Sequence, residues 1–170
     1  MSLEPATDGD LAAVMRIERT PGYELFVGSN TGEEHRAMMR SPGGRYFVWR
    51  EDGEVAGFAI LLKLDDPNRV VRAKRIAVAT AGQGVGGAMV RAVMDWVFEQ
   101  TEANRFELDV SMENPRAQRV YLREGFVTEG VVREVYRAPD GRYVSSMLMS
   151  ILRREWAALP RRAAGPEKMS

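Results

Sequence analysis

Apolar residues recur along this chain with two periods, and the switches between them divide it into elements. Leu11, Val14, Met15 and Ile17 form an uneven helical stripe behind Thr7 and Asp8, either of which caps a helix near 8–19. Thr20-Pro21-Gly22 breaks that stripe. A second helix is expected over 31–40, ended by Ser41-Pro42-Gly43-Gly44. Arg45–Arg50 and Glu54–Leu64 read as strands, joined by the hairpin signal Glu51-Asp52-Gly53. A further strand over 70–78 runs into a glycine-rich turn. Beyond it, Val85, Met89, Val93 and Val97 recur every fourth position with Val90, Met94 and Phe98 beside them, which predicts a helix to about residue 100.

Phe106, Leu108 and Val110 then alternate with Glu107 and Asp109, the period of a strand with two unlike faces. Asn114 and Pro115 open another helix as N-cap and first-turn proline. Its stripe is Ala117, Val120 and Tyr121, and Gly125-Phe126 ends it with a hydrophobic clasp. Two last strands are expected near 126–136 and 142–152, around Pro139-Asp140-Gly141. Strands therefore come mainly as antiparallel neighbours, with one βαβ-like crossover over 70–110, and predict a mixed sheet between helices. One domain is expected over residues 1–159, and the tail 160–170, with little to bury, is expected to be mobile.

Composition narrows the chemistry. Cysteine is absent, which excludes disulfides, thiolate metal sites and a cysteine acyl-enzyme. The single histidine, His35, rules out a His-rich metal site and is expected to be an ordinary loop or helix residue; no metal is expected. Lysine plus arginine equals aspartate plus glutamate at 24 each, so no net field attracts nucleic acid or a membrane. No apolar run approaches the roughly 20 residues of a membrane span. The N-terminal residues lack the basic-then-apolar layout of a signal peptide, and the cytoplasm is the expected location.

The most informative stretch is Ala81–Gly86, AGQGVG. Glycines at 82, 84 and 86 leave little side-chain bulk where strand turns into helix, and first-turn N–H groups have no partner within the helix. Those donors and the helix dipole favour an anion such as phosphate. The same turn could equally just pack helix on strand. An NAD or ATP site is disfavoured, because no Lys-Ser/Thr follows the turn.

Taken together, Ile76-Ala77-Val78, the glycine turn, Glu107-Leu108-Asp109-Val110 and Asn114-Pro115-Arg116-Ala117…Tyr121…Gly125-Phe126 resemble the GNAT superfamily of acetyl-CoA-dependent N-acetyltransferases. The resemblance runs from Glu4–Leu11 to Met147–Leu152. Residues 114–126 and 141–152 are most similar to the branch acting on ribosomal-protein N-termini, polyamines and small amines. The family motif usually opens with Arg or Gln, where this chain has Ala81. A register opening at Gln83 would put Arg91 on an apolar helix position, whereas AGQGVG keeps Met89 and Val90 there.

The resemblance implies an α+β GNAT fold, with a mixed, mostly antiparallel sheet of six to seven strands and helices on both faces. It implies acetyl-CoA as co-substrate and a primary amine as acceptor, attacked directly with no covalent enzyme intermediate. Coenzyme contacts are implied from Gly82, Gln83, Gly84, Val85, Gly86 and Gly87, from Ala77 and Val78 of the preceding strand, and from Asn114. Tyr121 is implied as proton donor to the departing sulfur; its ordinary pKa of ~10 suits an alkyl thiol. Asp109, with Glu107 as substitute, is implied as base for the amine. Each has a plainer alternative: a core tyrosine, a simple cap, a solvated strand face. Arg116, Arg119 and Arg123 line one helix side and either meet the coenzyme's 3′-phosphate or form solvated surface. The segments expected to shape the acceptor site, 19–42 and 126–146, carry mixed charge and leave the amine unidentified. A non-catalytic acyl-CoA-binding module of the same fold is the rival reading, and a homodimer through the last strands stays open.

Overall fold

The computed structural model describes residues 1–160; all but the first residue of the expected mobile tail lie outside them. Seven strands are described: β1 (Ser2–Pro5), β2 (Arg45–Glu51), β3 (Glu54–Leu62), β4 (Val70–Val78), β5 (Arg105–Ser111), β6 (Val127–Arg137) and β7 (Tyr143–Leu152). The α-helices are α1 (Leu11–Glu18), α2 (Gly32–Arg40), α3 (Val85–Gln100), α4 (Pro115–Arg123) and α5 (Arg153–Ala158), and a single 3₁₀ turn, Asp8–Asp10, leads into α1. Two elements were not foreseen. β1 has four residues and one inward apolar position, Leu3, which pairs with Trp49 on β2. α5 is six residues with no apolar period of its own.

The sheet runs β1-β2-β3-β4-β5-β7-β6, giving the α+β architecture expected. One face packs on α3, α4 and α5 through Met89, Val93, Met94, Phe98 and Tyr121; the other packs on α1 and α2 through Leu11, Val14, Ile17 and Met38. Arg153, at the start of α5, donates to the carbonyls of Phe98, Thr101 and Ala103 at 2.7–2.8 Å. That fork satisfies carbonyls left over at the end of α3 and ties the C-terminal elements to it.

Every neighbouring pair is antiparallel but β4 and β5, which run parallel across the α3 crossover and meet at only three positions: Val70–Arg105, Val71–Phe106 and Arg72–Glu107. Beyond Arg72 the strands part. On the other side of β4, the register with β3 shifts between Ile60 and Leu61, so Lys74 has no residue opposite. This bulge adds local twist where β4 leaves β5. The gap so formed positions everything described next.

Candidate active site

The glycine turn joins the end of β4 to the start of α3. Gly82 and Gly84 hold φ of +90° and +81°, a region open to glycine but strained for other residues. A methyl group built on either would meet nothing within 4 Å, so the turn borders open space. Gly84 is the N-cap of α3 and offers no side chain to its first turn, leaving the N–H groups of Val85, Gly86 and Gly87 for an external acceptor. Gly87 lies under α4: a methyl there would stand 2.6 Å from the Arg123 guanidinium. A buried ion pair, Arg91 to Glu124 at 3.0 Å, fixes α3 against the end of α4. Met89 and Val90 are buried while Arg91 makes this bond, in keeping with the motif register that opens at Ala81.

Between β4 and β5 lies a cleft whose walls include Lys74, Arg75, Asp109, Asn114 and Tyr121. Backbone parity decides what β4 offers it. The Ala79 amide donates to the Ala56 carbonyl at 2.8 Å, and Gly57 faces Val78. Opposed pairs alternate between bonded and unbonded in an antiparallel ladder, so Ala77 spends its main-chain groups on β3 while those of Ile76 and Val78 face the gap. Of the two β4 positions expected to bind the coenzyme, Val78 presents its backbone to the cleft and Ala77 does not. The Val78 carbonyl already accepts a 2.6 Å hydrogen bond from the Tyr23 hydroxyl.

Tyr121 reaches the cleft from α4, which ends as expected: the Phe126 amide donates back to the Tyr121 carbonyl at 3.0 Å and Gly125 has φ +100°. Its ring is buried edge-on against Phe126, and no hydrogen bond to its hydroxyl is found among the described residues. Burial, and secondarily the Asp109 charge, push its pKa well above the ordinary value of 10, so the hydroxyl holds its proton at neutral pH. Asn114 both caps α4, accepting from the Ala117 amide at 3.1 Å, and lines the cleft. Asp109 is bonded to Arg72, which also reaches Glu107 at 3.2 Å; Glu107 in turn is held by Arg105 at 2.8 Å. Both carboxylates considered as bases are thus ion-paired, and Asp109 is the one that faces the cleft.

Over the other side of the cleft lies the α1–α2 connection, residues 19–31. It is stitched down by two tyrosines, Tyr23 to the Val78 carbonyl and Tyr136 of β6 to the Glu24 carbonyl at 2.9 Å. Beneath it sits a buried polar chain that the sequence did not reveal. Glu18, with no exposed side-chain surface, binds Arg75 and His35 at 3.1 Å each, and the Asn30 amide at 3.1 Å. A carboxylate can only accept, so His35 donates through Nε2, and its Nδ1 lies 2.9 Å from the Tyr46 hydroxyl. Burial drives the Tyr46 pKa up to about 12. His35 therefore links Glu18 to Tyr46 in the interior. A second hollow of about 260 Å³ opens beside this chain, lined by Glu18, Arg19, Glu24, Val27 and Tyr136. Val27 belongs to both hollows, and the Arg75–Glu18 pair bridges them.

The profile of the Acetyltransferase (GNAT) family matches residues 11–126. YdaF of Bacillus subtilis (strain 168), provisionally named a ribosomal N-acetyltransferase, is 33% identical over 111 residues, 62% of this chain. The match spans 57% of YdaF, a little over half its length. The spermidine N(1)-acetyltransferase of Escherichia coli (strain K12) is 28% identical over 149 residues, 86% of this chain and 78% of that protein. The spermidine N-acetyltransferase from Vibrio cholerae, solved in complex with CoA and spermine, superposes with a TM-score of 0.81 over 92% of this chain and 97% of that one, at 22% identity.

Proposed function

The chain belongs to the GNAT acetyltransferase family, and on that premise we propose that it moves an acetyl group from acetyl-CoA directly to a primary amine. One observation carries the reading: β4 and β5 part after three rungs, beside a helix capped by Gly84 whose first turn holds Gly86 and Gly87. A chain with amides along it can take the place of the missing strand, pairing with the outward main-chain groups of Ile76 and Val78. The first-turn amides of α3 suit its diphosphate, with Arg123 alongside. The coenzyme supplies the acetyl thioester; the protein supplies position and protons.

In this proposal Tyr121, a protonated phenol lining the cleft, gives its proton to the departing sulfur. Asp109, at the same cleft, passes the amine's proton to water. The acceptor enters through the hollow beneath the α1–α2 connection. Glu18 there is matched by Arg75 and Arg19, whereas Glu24 makes no ion pair among the described residues and suits a cationic amine at the rim. A spermidine acetyltransferase among the relatives supports such an acceptor, and a protein N-terminus fits the same chemistry.

Thermal-shift titration with coenzyme A, NAD and ATP, followed by a thiol-release assay over an amine panel, tests the reading. Stabilisation by coenzyme A alone and release with at least one amine are expected. Tyr121→Phe should lower kcat by about 100-fold or more while leaving coenzyme affinity unchanged, the size usual for losing a general acid. Undiminished kcat would remove Tyr121 from the proton path.

A further inference from the structure

We propose that Lys74 is an internal acetyl acceptor, its Nζ becoming acetylated in the cleft when no external amine is present. The inference rests on the acetyl-transfer reading above and deepens it by assigning a modification site. Lys74 is the bulged residue at the point where β4 leaves β5, and it lines the same cavity as Tyr121 and Asp109. Its cationic neighbours are committed elsewhere: Arg72 to Glu107 and Asp109, Arg75 to Glu18. Lys74 makes no hydrogen bond or ion pair among the described residues. It is therefore a primary amine on a flexible stem, beside the proposed thioester position, with nothing holding it away.

Residue type strengthens the point. The chain contains only three lysines, Lys63, Lys74 and Lys168, every other basic side chain being arginine. A guanidinium keeps its proton and does not act as an acyl acceptor, whereas an ammonium can be unloaded. Desolvation in the cleft, then the charges of Arg75 and Arg72, lower the pKa of Lys74 against the weaker pull of Asp109 and Glu34. A larger share of neutral amine follows.

The step balances without another reactant. The Lys74 ammonium loses one proton to solvent. Its nitrogen lone pair forms the C–N bond to the acetyl carbonyl carbon, the C–S bond breaks, and its electron pair leaves on sulfur. Sulfur takes the Tyr121 proton; the nitrogen sheds its second proton, which restores the phenol through solvent. The products are an amide, the free thiol of the coenzyme and one released proton.

The test is to incubate the full chain with acetyl-CoA and no acceptor, then read intact mass and map acetylated peptides over time. Lys74 should be labelled roughly ten times faster or more than Lys63, which is likewise exposed but lies outside the cleft, because Lys74 stands beside the bound thioester. Tyr121→Phe should slow labelling of Lys74 roughly 100-fold and leave Lys63 unchanged. Lys74→Arg should abolish the fast addition while melting like the parent chain. Lys74 left unmodified, or labelled no faster than Lys63, overturns the inference. Coenzyme stabilisation and thiol release with the amine panel, run in parallel, separate the two levels. If both succeed and Lys74 stays bare, only this inference fails. If coenzyme A does not bind, the acetyl-transfer reading and this inference fall together.

Discussion

Replacing Glu18 by Gln removes one charge from the buried chain under the α1–α2 connection and keeps its shape. Arg75, only 11% exposed along its side chain, would then be a cation without its partner 3.1 Å away. Breaking a buried pair from one side costs about 3–5 kcal/mol, most of it the stranded charge. For a domain of this size each kcal/mol shifts Tm by about 2–4 °C, so a fall of about 6–20 °C is expected. Urea unfolding at neutral pH measures the free energy, with Glu18→Gln, Arg75→Met and the double variant forming a cycle. The double variant should recover a large part of the loss, because no lone charge remains. The connection should loosen too, since Gly28 rests on Arg75, where an added methyl would come within 2.8 Å of the guanidinium. Acceptor KM should therefore rise while coenzyme affinity holds. A Glu18→Gln loss under about 1 kcal/mol, or strictly additive single variants, would refute the reasoning.

Two glycines make a contrast. Gly57→Ala should cost about 1–3 kcal/mol by overpacking, since its methyl would stand 2.9 Å from the Ala77 carbonyl and the Met89 sulfur. Gly84→Ala meets no atom and should cost only its left-handed backbone, about 1 kcal/mol, yet weaken coenzyme binding measured by calorimetry. Asp10 supplies a pH signature. Burial acts to raise its pKa, but hydrogen bonds from the Thr7 amide and hydroxyl and from Arg50 outweigh it and hold it below the ordinary 3.8. A lowered folded pKa means the stabilisation is present above the unfolded value and lost as pH falls through the folded one. Asp10→Asn should thus cost about 1–2 kcal/mol at neutral pH, with the gap to the parent closing below the ordinary aspartate range. Equal losses at pH 7 and under strong acid would contradict it.

What the sequence made legible was local. The stripe of Val85–Phe98, the Asn114 cap and the alternation of Phe106–Val110 place α3, α4 and β5 within a residue or two of where they lie, because each signal sits inside its own element. The glycine turn was readable for the same reason. What stayed hidden was non-local. Glu18, His35, Tyr46 and Arg75 converge from separations of 11 to 57 positions, and Tyr23 meets Val78 across 55. No window pattern links them. The backbone difference between Ala77 and Val78 depends on which residues β3 sets opposite. Lys74 did leave a trace: Lys74-Arg75 interrupts the alternation of Val71 and Ala73, as an inserted strand residue does.

Three rungs are all that sew a four-stranded N-terminal half-sheet to a three-stranded C-terminal one. Alternate amides of β4 beyond that stitch have no β5 residue paired with them, though they belong to the central strand of the sheet. In the proposed binding mode the coenzyme would supply rungs the polypeptide omits, so mechanical continuity from one edge of the protein to the other would become a property of the loaded state. On that mode the sheet would be finished by its cargo, and would loosen each time the cargo departs.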